Sequence, residues 1–136
     1  MGVQITYPVL ISNYDEGIAG SYLKIFSRIG FINAHGSHTH QGILEICETH
    51  SPCLIVRDFH YPGMSGERLT EAIRALPSMA DVPQILIPER GHDFEKTSPV
   101  LIPHDYDLRK MAMRMKIYCL GLEYYEKVPF PVGVEL

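Results

Sequence analysis

The chain has 136 residues, of which 46% are apolar, enough for one domain with a proper core. Its net charge of −4, with no run of Lys or Arg, excludes non-specific nucleic-acid binding, which depends on clustered cations displacing counterions. No stretch reaches the roughly 18 continuous apolar residues of a membrane span, and the first residues lack the basic-then-apolar pattern of a signal peptide, so a cytoplasmic chain is expected. Cys47, Cys53 and Cys119 are odd in number and share no Cys-x-x-Cys spacing. They read as small buried hydrophobes in a reducing compartment, and no disulfide framework is expected.

Taken in order, residues 9–11 lie within a longer extended run from position 3 and predict a first strand buried on both faces. Residues 13–17 break it. Ile18, Tyr22, Ile25 and Ile29 then recur at the helical period, predicting a helix that ends near Gly30, with Asp15 and Glu16 as favourable anions at its start. Residues 31–34 predict a short second strand. Residues 35–40, with His35, His38 and His40, read as loop, and Ile43, Leu44, Ile46 and Cys47 mark a second helix.

The most informative stretch is residues 51–66, where the short apolar run 54–56 ends on the carboxylate of Asp58 and is then broken by Pro62, Gly63 and Gly66. A helical pattern follows, with Leu69, Ala72, Ile73 and Leu76 on one face. Asp58 therefore ends a buried strand, on the edge of an α/β sheet where ligands collect. Residues 84–87 and 100–102 predict two further strands, and residues 107–126 a long last helix. Alternating strands and helices imply a parallel sheet covered on both faces.

Pro52, Leu54, Ile55, Asp58, Pro62, Gly63, Met64, Gly66 and Leu69, followed by Ala80-Asp81-Val82-Pro83, resemble the centre of a bacterial response-regulator receiver domain. The resemblance implies a flavodoxin-like (CheY-like), doubly wound, five-stranded parallel sheet over residues 1–124, with 125–136 a tail or the start of a linker. Only eleven residues, 89–99, join the last two strands, and a crossover helix needs about a dozen, so the fourth helix is expected to be missing or reduced to a loop.

In that family the matching Asp accepts a phosphoryl group in a two-component phosphorelay. An acidic pair after the first strand helps bind Mg²⁺, while a hydroxyl after the fourth strand and a Lys after the fifth hold the phosphoryl oxygens. Ungapped counting places Asn13 and Tyr14 at the acidic pair, Pro88 at the hydroxyl and Ile102 at the Lys, so that Asp58 alone is retained. The peptide before Pro103 would be cis by the same resemblance. Asp15 and Glu16 would reach Asp58 only through a shifted first loop, and His60 could lend a metal its backbone carbonyl. A metal site at His35, His38 and His40 has no Cys or carboxylate at a familiar spacing to complete it.

On the last helix Leu108, Met111, Ala112, Met115, Cys119 and Leu122 form one apolar stripe, and Met113, Ile117, Leu120 and Tyr124 form a second on the far side. A helix on a sheet needs only the first, so the second predicts a protein partner or a second copy, with the tail folding back as the alternative. The expected function is a non-enzymatic, phosphorylation-independent pseudo-receiver that binds a signalling partner and self-associates as a homodimer. It needs no cofactor and has no nucleic-acid or membrane partner. A phosphorylatable receiver using Asp58 and Mg²⁺, and a small-ligand sensor using the altered pocket, are the alternatives.

Overall fold

A computed structural model describes residues 4–87, 100–101, 115–116 and 119. Strand β1 (Val9–Ser12) leads to helix α1 (Glu16–Ile29), β2 (Ala34–Ser37), α2 (His40–His50), β3 (Leu54–Asp58), α3 (Gly66–Arg74) and β4 (Gln84–Ile87). A two-residue strand, β5 (Val100–Leu101), pairs with Ile85 and Leu86 of β4. All pairings are parallel, in the order β2-β1-β3-β4-β5. The order turns back on itself between β1 and β3, where an open α/β sheet leaves a crevice beyond its carboxyl ends.

The helices start where the sequence supplies side-chain acceptors for their unpaired N–H groups. Asp15, Thr39 and Ser65 are the N-caps, accepting from the N–H groups of Ile18, Gly42 and Arg68. Between β3 and α3 the segment Tyr61-Pro62-Gly63-Met64 closes a turn with the Met64 N–H donating to the Tyr61 carbonyl at 3.1 Å. Pro fits its second position and Gly63, at φ 86°, supplies the positive φ of its third.

The core divides into two layers. On one face Val9, Ile11, Leu54, Val56 and Ile85 pack with Phe26 of α1 and with Met115 and Cys119, which are helical and fully buried. On the other, Leu10 and Ile55 pack with Ile43 and Cys47 of α2 and Leu69 and Ile73 of α3. Successive residues of β1 and β3 thus serve opposite layers, which explains why those strands read as unbroken apolar runs.

Two expectations need correction. The second strand runs Ala34–Ser37, so His35, Gly36 and Ser37 lie in the sheet and not in a loop, while Phe31 makes only an isolated bridge to Ile5. As an edge strand, β2 is largely half-buried and accepts polar residues, which hides it from hydropathy. Gly36 is there because α1 comes close: a Cβ would meet a Leu23 methyl at 2.4 Å. The buried stripe of α1 is also rotated from the expected one. Ala19 and Phe26 are buried, with Tyr22, Leu23 and Ile29 packing around them, whereas Ile18 is 43% exposed. The bulky Phe26 ring, stacked obliquely on Phe31 at 5.2 Å, sets the rotation.

The expected missing fourth helix, Pro88, Ile102, the Ile102-Pro103 peptide, residues 125–136, and Met113, Ile117, Leu120 and Tyr124 all lie outside the described residues. Among the described residues no helix is long and apolar enough to cross a membrane.

Candidate functional site

Asp58 ends β3 beside the end of β1 and is only 8% exposed. Its two carboxylate oxygens each accept a hydrogen bond from the loop after β1. The Asn13 side-chain amide donates to Oδ1 at 3.3 Å, and the Tyr14 backbone N–H donates to Oδ2 at 2.8 Å. The Asn13 amide cannot be reversed, because its Oδ1 accepts the Asp15 N–H at 2.9 Å. Asn13 is itself buried, while the Tyr14 ring points away and is 57% exposed.

Asp15 and Glu16 do not turn toward Asp58. The Asp15 carboxylate accepts the Ile18 N–H at 3.0 Å as the helix cap, and Glu16 occupies the exposed first turn of α1. The aromatic wall of the site is Tyr22. Burial raises its phenol pKa first and the Asp58 charge raises it further, against a hydrogen bond to Asn13 that lowers it. His60 turns its ring inward, where Nδ1 accepts the Gly66 N–H at 3.0 Å and ties the loop to the start of α3.

Beneath the carboxylate runs a chain of hydroxyls that the sequence did not announce. The Asp58 N–H donates to Tyr61 Oη at 3.1 Å, Tyr61 Oη donates to Ser12 Oγ at 2.7 Å, and Ser12 Oγ donates to the Ser37 carbonyl at 2.7 Å. It links β3, β1 and β2 across their carboxyl ends. Burial is the main reason that Tyr61 keeps its proton far above the ordinary phenol range. No sequence motif marks Ser12 or Tyr61.

Arg57, next to Asp58 and facing the opposite layer, is fully buried. Its guanidinium donates to the carbonyls of Asp58 and Phe59 at 3.0 Å each, to Gln84 Oε1 at 3.1 Å and to Thr70 Oγ1. The Thr70 hydroxyl passes the connection to the Gly66 carbonyl at 2.9 Å. Burial pushes the Arg57 pKa down to about 10, so the group stays charged and clamps the β3–α3 loop by hydrogen bonds. A charge inside the apolar run Leu54–Asp58 was the available signal for this network. Among the described residues the buried Gln84 Nε2 finds no hydrogen-bond partner.

The three histidines do not converge. His35 lies on β2, stacked on His50 of α2 with ring centroids 3.9 Å apart, and its Nε2 meets Asn33 Oδ1 at 2.8 Å. Among the described residues no three His, Cys, Asp or Glu side chains are grouped as a metal site.

Comparison with solved structures is decisive for the fold. A Francisella response-regulator receiver domain superposes with a TM-score of 0.71, at 19% identity over 86% of this chain and 99% of that one. The chain has the receiver fold. The Vibrio cholerae chemotaxis response regulator CheY4 is similar at TM-score 0.70 and 12% identity, over 84% of this chain and 98% of that one. A CheY-like receiver domain from Methanospirillum hungatei gives TM-score 0.70 and 20% identity, over 87% and 97%. No family model matches the sequence, and no curated protein matches it.

Proposed function

We propose that the chain is a receiver-type module of bacterial signal transduction that acts by binding proteins, independently of phosphorylation at Asp58 and without enzymatic activity of its own. The observation that carries this reading is the pair of N–H donors on Asp58. A divalent cation at this carboxylate would need acceptor oxygens facing it, and Asn13 and Tyr14 offer N–H groups in their place. The side-chain oxygen of Asn13 is engaged by the Asp15 N–H, and the Asp15 carboxylate caps α1. Among the described residues, those around Asp58 do not fit Mg²⁺, and no phosphoryl-transfer step follows from them. Asp58 acts instead as the acceptor that fixes the β1–α1 loop.

The partner surface belongs to the last helix. Met115 and Cys119, one turn apart, are buried in the layer shared with α1, as the first apolar stripe requires. Met113, Ile117, Leu120 and Tyr124 belong to the second stripe of the same sequence pattern, which suits a signalling partner and a second copy of the chain. Sedimentation velocity tests the proposal. Wild type and Asp58→Asn should form equally stable dimers, while Ile117→Glu should weaken association by at least about tenfold. A monomeric wild type, or a dimer that weakens in Asp58→Asn, contradicts it.

A further inference from the structure

Cys53 and Cys119 are far apart in sequence and meet in space. Cys53 precedes β3 and is fixed there by its N–H, which donates to the Pro8 carbonyl at 2.9 Å. Cys119 comes from the C-terminal helical segment, one turn after Met115, and both are fully buried in the layer that α1 covers. Cys53 packs against this same cluster, within hydrogen-bonding reach of the Cys119 sulfur. The segment is pinned in place by Lys116, whose Nζ donates to the Ile29 carbonyl at 2.7 Å. Access to the two sulfurs differs: Cys53 is only partly buried, Cys119 is sealed. Cys47, the third cysteine, lies in the layer on the opposite face of the sheet and cannot compete for either partner.

We propose that Cys53 and Cys119 are a hydroperoxide-responsive thiol pair, with Cys53 attacking and Cys119 resolving, and that the intramolecular disulfide they form fastens the C-terminal helical segment to the start of β3. In the first step the Cys53 thiolate attacks one oxygen of a hydroperoxide. An S–O bond forms, the O–O bond breaks, and the distal oxygen leaves with a proton as water or an alcohol. Cys53 is thereby oxidised to a sulfenic acid and the peroxide is reduced. In the second step Cys119 gives up its proton and its sulfur attacks Cys53. The S–S bond forms as the S–O bond breaks, and the hydroxide leaves with that proton as water. A dithiol reductant returns both thiols by exchange.

The electrostatics agree with this division of labour. Interaction with Cys119 lowers the Cys53 pKa against the opposing effect of burial, while Cys119 is raised. Burial pushes Cys47 up to about 11, leaving it a thiol.

The test uses the full chain, first reduced, then exposed to hydrogen peroxide, quenched, alkylated under denaturing conditions and weighed intact before peptide mapping. The expected result is a loss of two of the three alkylatable thiols, with Cys47 the one remaining, and a cross-linked peptide joining Cys53 to Cys119 within a monomer. Dithiothreitol should restore all three. In Cys119→Ser the Cys53 sulfenic acid should persist long enough for dimedone to trap it. Three alkylated thiols after peroxide treatment overturn the proposal. So does oxidation of Cys53 without a cross-link to Cys119, or a disulfide joining Cys53 of two copies. The wild-type peptide map decides these outcomes even if the variant fails to fold.

Discussion

An amide and a carboxylate at position 13 would place opposite demands on Asp58. The Asn13 amide donates to the Asp58 oxygen at 3.3 Å, whereas an Asp there would set two negative charges against each other inside a buried site. Asn13→Asp should therefore lower stability by about 1.5–3 kcal/mol, the range for losing a hydrogen bond to a charged group. Adding Mg²⁺ should restore part of the loss in the variant and leave wild type unmoved. Urea unfolding with EDTA and with Mg²⁺ measures both effects. That Asn13 would lie beside Asp58 was legible from the ungapped count. That Asn13 and the Tyr14 backbone would take one Asp58 oxygen each was not, because the Tyr14 contribution comes from an N–H that every residue but proline carries.

His35 gives a second prediction at the same scale. Burial, and then the neighbouring His50, lower its pKa from 6.5. As pH falls below that value the unfolded chain takes up the proton first, so the native state loses stability until the folded pKa is passed, where the loss levels off. Unfolding free energies at about pH 7.5 and about pH 5.5 should differ more in wild type than in His35→Gln. A variant that keeps the whole pH dependence would assign it to a group other than His35.

Among the strands, those buried on both faces could be read from hydropathy and the half-buried edge strand could not. β1 and β3 are fully buried and stand where apolar runs placed them. At the edge of the sheet β2 has no such run, and its His, Gly and Ser residues passed for loop until pairing with β1 set the register. Helix α1 was found but turned, since periodicity gives a face only to within a residue or so and the Phe26 ring decided it. The start of α3 offers a test of how tightly such elements are fitted. A Cβ at Gly66 would lie 2.4 Å from the ring of Phe59, which is 1% exposed, whereas at Gly36 it would meet the terminal methyl of Leu23. Gly66→Ala should cost about 1–3 kcal/mol and Gly36→Ala less, because a buried ring cannot yield as a leucine methyl can. Thermal unfolding of the two variants, compared side by side, gives the order.

For the molecule as a whole, the parallel sheet with its reversal between β1 and β3 brings Asp58 to the crevice where this architecture places its ligands, and so the fold and the site have to be judged separately. The fold was legible because the pattern of buried strands and capped helices survives at 12–20% identity to its structural neighbours. Of the site, the meeting of Asn13 with Asp58 was legible and the rest was not, since the hydroxyl chain through Tyr61 and Ser12 and the Arg57 clamp arise from contacts between segments distant in sequence. On the proposed function, Asp58 in this receiver-type fold serves to hold the β1–α1 loop through the Asn13 and Tyr14 N–H groups. The most direct measurement is the intact mass of the folded protein after incubation with Mg²⁺ and acetyl phosphate, beside Asp58→Asn. No mass gain in either protein is the predicted result; a gain of one phosphoryl group in wild type that vanishes in Asp58→Asn would contradict it and make this chain a phosphorylated switch.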